Sequence, residues 1–323
     1  MVGAVLMHND IIIGEGFHQH FGQAHAEVNC IESVAFKNKI FIDKSTLYVS
    51  LEPCAHFGKT PPCADFIIKN KIPGVVIGCR DSFKAVDGKG IEKLKDAGIN
   101  VTVGVLEKEA LVLNKFFFTF HQHQRPYIIL KWAQSADEKI AGINGKRISI
   151  SNAFTNRLVH QWRSEAAAIL VGTTTALKDD PALTTRLVKG NNPLRLIIDI
   201  DLKLPATLQI FNDTVKTVVF NAQKNAEDNT LSFCKINKQE KIIPQILNIL
   251  YTLQIQSVIV EGGTKLLQSF IDENCWDEAR VITNTEMKIT EGLNAPLLKN
   301  NSLIKTENIR TNNIAYYLNN TSP

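Results

Sequence analysis

At 323 residues the chain is too long for one average domain and suits two. Hydrophobic and charged fractions of 44% and 21% describe an ordinary soluble globular protein. A formal net charge of +4 without clustered Lys and Arg gives no support for a nucleic-acid partner, and no run of about 18 apolar residues offers a membrane span.

The first part alternates strand-like and helix-like segments. VGAVLMH and IIIGEGF are apolar runs joined by Asn9-Asp10, a hairpin signal. A helix is expected from His25 to Lys37, with Ala26, Cys30, Ile31 and Val34 spaced for one buried face. TLYVSL is β-rich, and Pro53 just after it is placed to open the next helix. A helix over Pro62 to Asn70, strand GVVIGC, a helix stopped by Gly98 and strand VTVGV follow. A helix between Glu107 and Gln124 runs into the polar stretch HQHQRP, where a domain junction is expected near Gln122 to Pro126. The division is therefore 1–122 and 126–323. His121 and His123 read as a solvated helix end.

The second part restarts with strand PYIILKWAQS, then a helix over Asn152 to Glu165, strand AILVG and a Thr-rich turn. Strands LRLIIDI and TVVFN, a helix from Pro244 to Leu253 and strand SVIVEGG come next. Gly262-Gly263-Thr264 stands between that strand and a helix reaching about Asn274. Such a strand-to-helix turn exposes N–H groups suited to a phosphate. The alternation predicts an α/β protein, with a mixed sheet in the first part.

The chemistry is concentrated in His25-Ala26-Glu27, Pro53-Cys54 and Cys63. A catalytic zinc takes three imidazole or thiolate ligands and leaves one position to water. His25, Cys54 and Cys63 supply three ligands, and Glu27 is a carboxylate left over to move protons. The order is that of the zinc-deaminase signature, H-x-E followed by P-C and a second Cys, with C-x8-C here in place of C-x2-C. On a continuous helix His25 and Glu27 would lie about 200° apart, so both are expected at the mouth of its first turn. The competing reading is a structural zinc site completed by His56. Cys30, Cys79, Cys234 and Cys275 read as buried or incidental thiols, since six cysteines in a chain of this length make no disulfide framework. The start, MVGAVLMHND, has no basic n-region or cleavage pattern, so a cytoplasmic protein is expected.

The segment TLYVSLEPCAHFGKTPPC closely resembles the deaminase part of the bifunctional riboflavin-biosynthesis deaminase/reductase family, which carries H-A-E and then T-L-E-P-C-x-H-x-G-[RK]-T-P-P-C. RPYIILKWAQSADEKIAG, VGTTTALKDDPALTTR and VIVEGG resemble that family's reductase motifs, so the likeness covers almost the whole chain. It implies a cytidine-deaminase-like α/β/α sandwich followed by a dihydrofolate-reductase-like α/β domain. The implied activities are zinc-dependent hydrolytic deamination of a diamino-phosphoribosylamino-pyrimidine, then reduction of its ribosyl group to ribityl by NADPH. One zinc ion per chain, a small-molecule substrate and a homo-oligomer are implied as well.

By the same resemblance Glu27 is the proton shuttle, and His56, Lys59 and Asp81 are deaminase substrate residues. Arg163, Leu183, Arg186 and Glu261 fall at reductase substrate positions. Ala133, Thr175 and Asp179 fall at cofactor positions. So do Gly263, Thr264, Lys265, Leu266, Leu267, Gln268 and Ser269, where the cofactor phosphates sit. Several residues depart from the family wording: Ser82-Phe83, Glu138 after Asp137, Arg147, and Ser149 before Ile150-Ser151. If φ at residue 138 is positive, Glu in place of Gly costs about 1–3 kcal/mol. Ser82-Phe83 bears on one end of the deaminase pocket, whereas the Glu138 and Ser149 changes keep open an impaired reductase beside a working deaminase; a nucleoside or nucleic-acid deaminase is the other alternative. The family's first strand is preceded by a helix and a P-N-P-x-V-G-A-V segment, which predicts that Met1 is internal and that roughly 20–30 residues precede it.

Overall fold

The structure, a computed structural model, describes residues 2–19, 22–57, 61–81 and 87–321. They form two compact units, Met1–His123 and Gln124–Pro323.

In the first unit β1 (Gly3–His8) and β2 (Ile11–Phe17) form a hairpin. Asn9 and Asp10, with φ of 47° and 61°, take the two left-handed positions its tight turn requires. Helix α1 (Ala26–Glu32), β3 (Thr46–Leu51), α2 (Cys63–Lys69), β4 (Gly74–Cys79), α3 (Lys89–Asp96) and β5 (Asn100–Val103) follow. The sheet order is β2-β1-β3-β4-β5, antiparallel through β1 and parallel from β3 to β5. Helices α1 to α3 bury Ala26, Ile31, Ile67 and Leu94 in one cluster with Leu6, Leu47, Val75 and Ile77 of the strands. Helices α4 (Glu107–Leu113) and α5 (Lys115–His123) bring Ala110 and Phe118 to Leu51 and Cys79.

Two glycines set how closely α1 lies on β2. A Cβ on Gly16 would meet the Cys30 amide nitrogen at 2.3 Å, and one on Gly14 would meet the Cys30 carbonyl oxygen at 2.5 Å. Helix α1 ends at Glu32, five residues before the expected Lys37. Ser33 stops it: its hydroxyl donates to Cys30 O (2.7 Å) and accepts the Glu15 N–H (2.9 Å). Pro53 opens no helix: residues 52–57 are irregular and include Cys54, and α2 begins at Cys63 with Pro62 as its N-cap. The single helix expected over 107–124 is two, broken at Asn114, whose side chain donates back to Ala110 O.

The second unit contains β6 (Tyr127–Ser135), β7 (Lys139–Gly142), α6 (Ala153–Glu165), β8 (Ala168–Gly172), α7 (Thr173–Asp179), β9 (Leu194–Ile198) and β10 (Thr217–Asn221). After them come β11 (Ala226–Glu227), β12 (Leu231–Lys235), α8 (Ile242–Thr252), β13 (Ser257–Glu261), α9 (Thr264–Asp272) and β14 (Glu278–Asn284). The last strands are β15 (Gly292–Asn294), β16 (Asn301–Ile309) and β17 (Asn312–Asn319). Ten strands form one sheet in the order β11-β12-β10-β9-β8-β13-β6-β14-β17-β16. It is parallel from β12 through β14 and antiparallel at both edges.

Central strands read as nearly continuous apolar runs because both faces are covered, and Ile128, Leu170, Val260, Phe270 and Trp276 share one core. Asn152 caps α6 by accepting the N–H groups of Phe154 and Thr155. The Thr-rich stretch expected as a turn is helix α7. Threonine is a weak helix former, but here hydroxyls bond outward: Thr173 donates to Ile198 O at 2.7 Å, and Thr175 accepts from Gly263.

Candidate active sites

The first site lies where loops leave the C-terminal ends of β3 and β4, the usual crevice of an open α/β sheet. His25 is the N-cap of α1 with extended backbone (φ −75°, ψ 169°), and Glu27 is in the first turn. This half-helical entry brings both residues to one side, which a continuous helix would not do. Cys63 opens α2 and Cys54 sits in the loop before it; the Cys63 N–H donates to Cys54 Sγ at 3.3 Å.

One ligand atom from each of His25, Cys54 and Cys63 falls within 4.8 Å of the others. His25 Nδ1 is 3.6 Å from Cys54 Sγ and 3.3 Å from Cys63 Sγ. Zinc bonds of about 2.0 Å to nitrogen and 2.3 Å to sulfur imply a tetrahedral N···S edge of about 3.6 Å. The donor set therefore fits zinc. A hydrogen bond from Cys63 holds the Cys54 thiol down at about 4, and the same bond pushes Cys63 up. Cys54 is thus set as a thiolate, the metal-binding form. His25 is raised, first by its hydrogen bond to Cys54.

Glu27 is buried at 3% exposure and stands outside the three-ligand cluster. Burial pushes its carboxyl up to about 7, with the nearby Cys54 adding to the rise. His56 is exposed and does not join the cluster, so the four-ligand structural reading finds no fourth ligand among the described residues. Asp81 is buried just beyond β4, whereas Lys59, Ser82 and Phe83 lie outside the described residues. Sequence reading missed His18, whose ring meets that of His25 edge-on with centroids 5.2 Å apart. A single histidine at a strand end carries no spacing signal.

The second site is in the other unit. A cavity of about 710 Å³ is lined by Gly172 to Thr175 and Gly263 to Leu266, with Gly142 to Gly145 and Glu291 to Leu293 around them. The Gly263 N–H donates to Thr175 Oγ1 at 3.1 Å, joining the N-termini of α7 and α9. Thr264 Oγ1 donates to Asn294 O. Leu267 faces the core, and neither Gln268 nor Ser269 lines this cavity: Gln268 bonds Asp272 and Leu297, and Ser269 bonds Lys265 O.

A neighbouring cavity of about 350 Å³ is lined by Ala133, Asp179, Glu261, Lys131, Arg147 and Ser149, among others. Parallel register pairs Lys131 with Glu261 on adjacent strands, and their side chains meet at 3.7 Å. Arg163 grips Glu261 with two bonds of 2.8 and 2.7 Å. Burial raises the Glu261 carboxyl, but Arg163 and Lys131 outweigh it and hold the group at about 2. Leu183 is buried with φ of 51°, a strained backbone for a side chain of this size. Arg186 is exposed, its guanidinium bonding Thr184 at 3.1 Å, and its backbone N–H donates to His160 Nδ1 at 2.8 Å. His160 was not foreseen; it lies at 6% exposure on a helix whose pattern reads as ordinary packing. Glu138 has φ of 59°, so the condition for strain there is met.

Residues 1–79 match the family described as the cytidine and deoxycytidylate deaminase zinc-binding region, and residues 126–285 match the RibD C-terminal domain. The riboflavin biosynthesis protein RibD of Aquifex aeolicus (strain VF5) is 41% identical over 300 residues, covering 90% of this chain and 82% of that protein. Its counterpart in Bacillus amyloliquefaciens is 38% identical over 287 residues, covering 86% and 76%. The crystal structure of a diaminohydroxyphosphoribosylaminopyrimidine deaminase/5-amino-6-(5-phosphoribosylamino)uracil reductase from Thermotoga maritima is similar at TM-score 0.89 and 36% identity, covering 98% of this chain and 91% of that one. Acinetobacter baumannii RibD follows at TM-score 0.86 and 29% identity. With a zinc-fitting triad in one unit, a cofactor-sized cavity in the other and this likeness across both, the chain belongs to the RibD family of bifunctional deaminase/reductases.

Proposed function

We propose the following residue-level account of the two activities, with the deaminase in residues 1–122 and the reductase in 126–323. The enzyme deaminates diaminohydroxyphosphoribosylaminopyrimidine and then reduces the ribosyl group of the product to ribityl. The observation that carries the reading is the convergence of His25 Nδ1, Cys54 Sγ and Cys63 Sγ within 4.8 Å, with buried Glu27 beside them.

Those three residues would hold zinc, which when bound would supply the Lewis acidity that makes water a competent nucleophile near neutral pH. Glu27 takes the proton released by that water and carries it to the amino nitrogen that leaves as ammonia. Its burial keeps the proton from exchanging with bulk solvent during the transfer. His56 and Lys59 contact the pyrimidine and phosphoribosyl groups of the substrate, and Asp81 is a further substrate residue.

In the reductase, NADPH supplies the hydride. The start of α9 would meet its phosphates through the main-chain N–H groups of Thr264 and Lys265, since those of Gly263 and Leu266 are bonded to Thr175 Oγ1 and Gly263 O. Ala133, Thr175 and Asp179 would border the nicotinamide end. Glu261, locked by Arg163, stands at the substrate side of the second cavity. Leu183 and Arg186, which do not line that cavity, are assigned to the substrate as well; the exposed guanidinium of Arg186 offers paired donors to a phosphate.

The substrate is a small molecule and not a nucleic acid, the setting is the cytoplasm, and the enzyme is a homo-oligomer. Edge strand β16, with Leu303 and Ile304 at 55% and 56% exposure, supports pairing with a second copy. Supplying zinc, NADPH and the diamino-pyrimidine, and reading ammonia and NADPH consumption separately, tests the proposal. Ammonia from cytidine or tRNA instead would overturn it.

A further inference from the structure

Glu52 has no part in the chemistry above, yet its carboxylate is 4% exposed and accepts four backbone N–H groups. Oε2 accepts from Asp81 at 3.2 Å and Gly88 at 3.1 Å, and Oε1 from Gly90 at 2.9 Å and Ile91 at 3.3 Å. Glu52 itself stands at the end of β3, with its own N–H donating to Cys79 O at 3.0 Å, two residues before Cys54.

Gly88 is the N-cap of α3, so capping that helix accounts for the bonds from Gly90 and Ile91. It does not account for Asp81, which lies seven residues before the N-cap and outside the helix. One oxygen thereby ties Asp81 and Gly88 to a common point. The approach is close as well: a Cβ on Gly90 would meet Pro53 O at 1.9 Å and Glu52 Oε1 at 3.2 Å. An apolar side chain at residue 52 could fill this space, but it could not fix the main chain of Asp81 through a directional bond.

We propose that Glu52 is a positioning residue of the deaminase. Its carboxylate sets the main chain of Asp81 against the loop bearing Cys54, so that Asp81 is pre-placed for the substrate. The inference rests on the reading of Asp81 as a substrate residue.

Glu52→Gln keeps the shape but turns one acceptor oxygen into a donor facing N–H groups. KM for the diamino-pyrimidine should rise about tenfold while kcat changes less than about threefold. Zinc content and reduction of the deaminated substrate should stay as in the parent enzyme. An unchanged KM, or zinc lost in step with activity, would overturn the inference; a merely structural role would lower the unfolding midpoint and leave KM alone. Asp81→Ala, which keeps the N–H, is the companion variant. If its KM is unchanged, the substrate reading falls and this inference with it. If its KM rises but that of Glu52→Gln does not, this inference alone falls. Amide hydrogen exchange on the unaltered enzyme gives a test independent of how the variants fold. Protection of Asp81, Gly88, Gly90 and Ile91 before any substrate is added is expected, and rapid exchange there would overturn pre-placement.

Discussion

Glu27 and His160 are two buried titratable side chains whose surroundings set opposite tasks. Glu27 adjoins the ligand triad without belonging to it. Glu27→Gln should therefore retain about one zinc per chain while ammonia release falls at least about a hundredfold, the usual worth of a positioned acid–base group. Metal analysis alongside the ammonia assay checks this; zinc lost to the same extent would move Glu27 into the coordination shell. His160 is held low, at about 4, by burial first and then by Arg163, Arg186 and Lys131, with Glu261 opposing. Its folded pKa lies below the ordinary 6.5, so between about pH 6.5 and pH 4 the unfolded chain takes up the proton first. The contribution is complete above pH 6.5 and is lost as pH falls towards 4, a change on the order of 2–3 kcal/mol. Urea midpoints across that window should slope for the parent chain. They should flatten for His160→Asn, whose oxygen can still accept the Arg186 N–H; an equal slope in the variant would remove His160 as the cause.

The elements decide whether such residues meet. Helix α1 delivers His25 and Glu27, and its seat on β2 depends on the absence of side chains at Gly14 and Gly16. Adding a methyl at Gly16 drives it into the main chain of Asn29 and Cys30, which cannot swing aside as a side-chain tip can. Gly16→Ala should destabilise the first unit by about 1–3 kcal/mol and weaken zinc binding, leaving NADPH consumption intact. Zinc titration of the folded variant would show parent-like affinity if α1 could shift without cost. In the second unit the neighbouring starts of α7 and α9 form the cavity wall through Thr175 and Gly263. That pairing was hidden in the sequence because threonine propensity argues against helix, and only the tertiary partners of Thr173 and Thr175 offset it.

Each of the two units has its own core; the zinc-fitting triad belongs to the first and the cofactor-sized cavity to the second. Removing zinc with a chelator should abolish ammonia release and leave the reduction of pre-deaminated substrate within about twofold of the untreated rate, since hydride transfer calls on no group of the metal triad. Parallel loss of both activities would show that the units are energetically coupled. The motif residues His25, Glu27, Cys54 and Cys63, the hairpin at Asn9-Asp10 and the central strands were legible in the chain, because local rules of ligand type, turn geometry and apolar runs govern them. The stop of α1 at Ser33, the helical state of Thr173 to Asp179, the clasp of Glu52 and the burial of His160 were not. Each depends on a hydrogen-bond partner or a packed neighbour distant in sequence, and such a partner has no position until the sheet has formed.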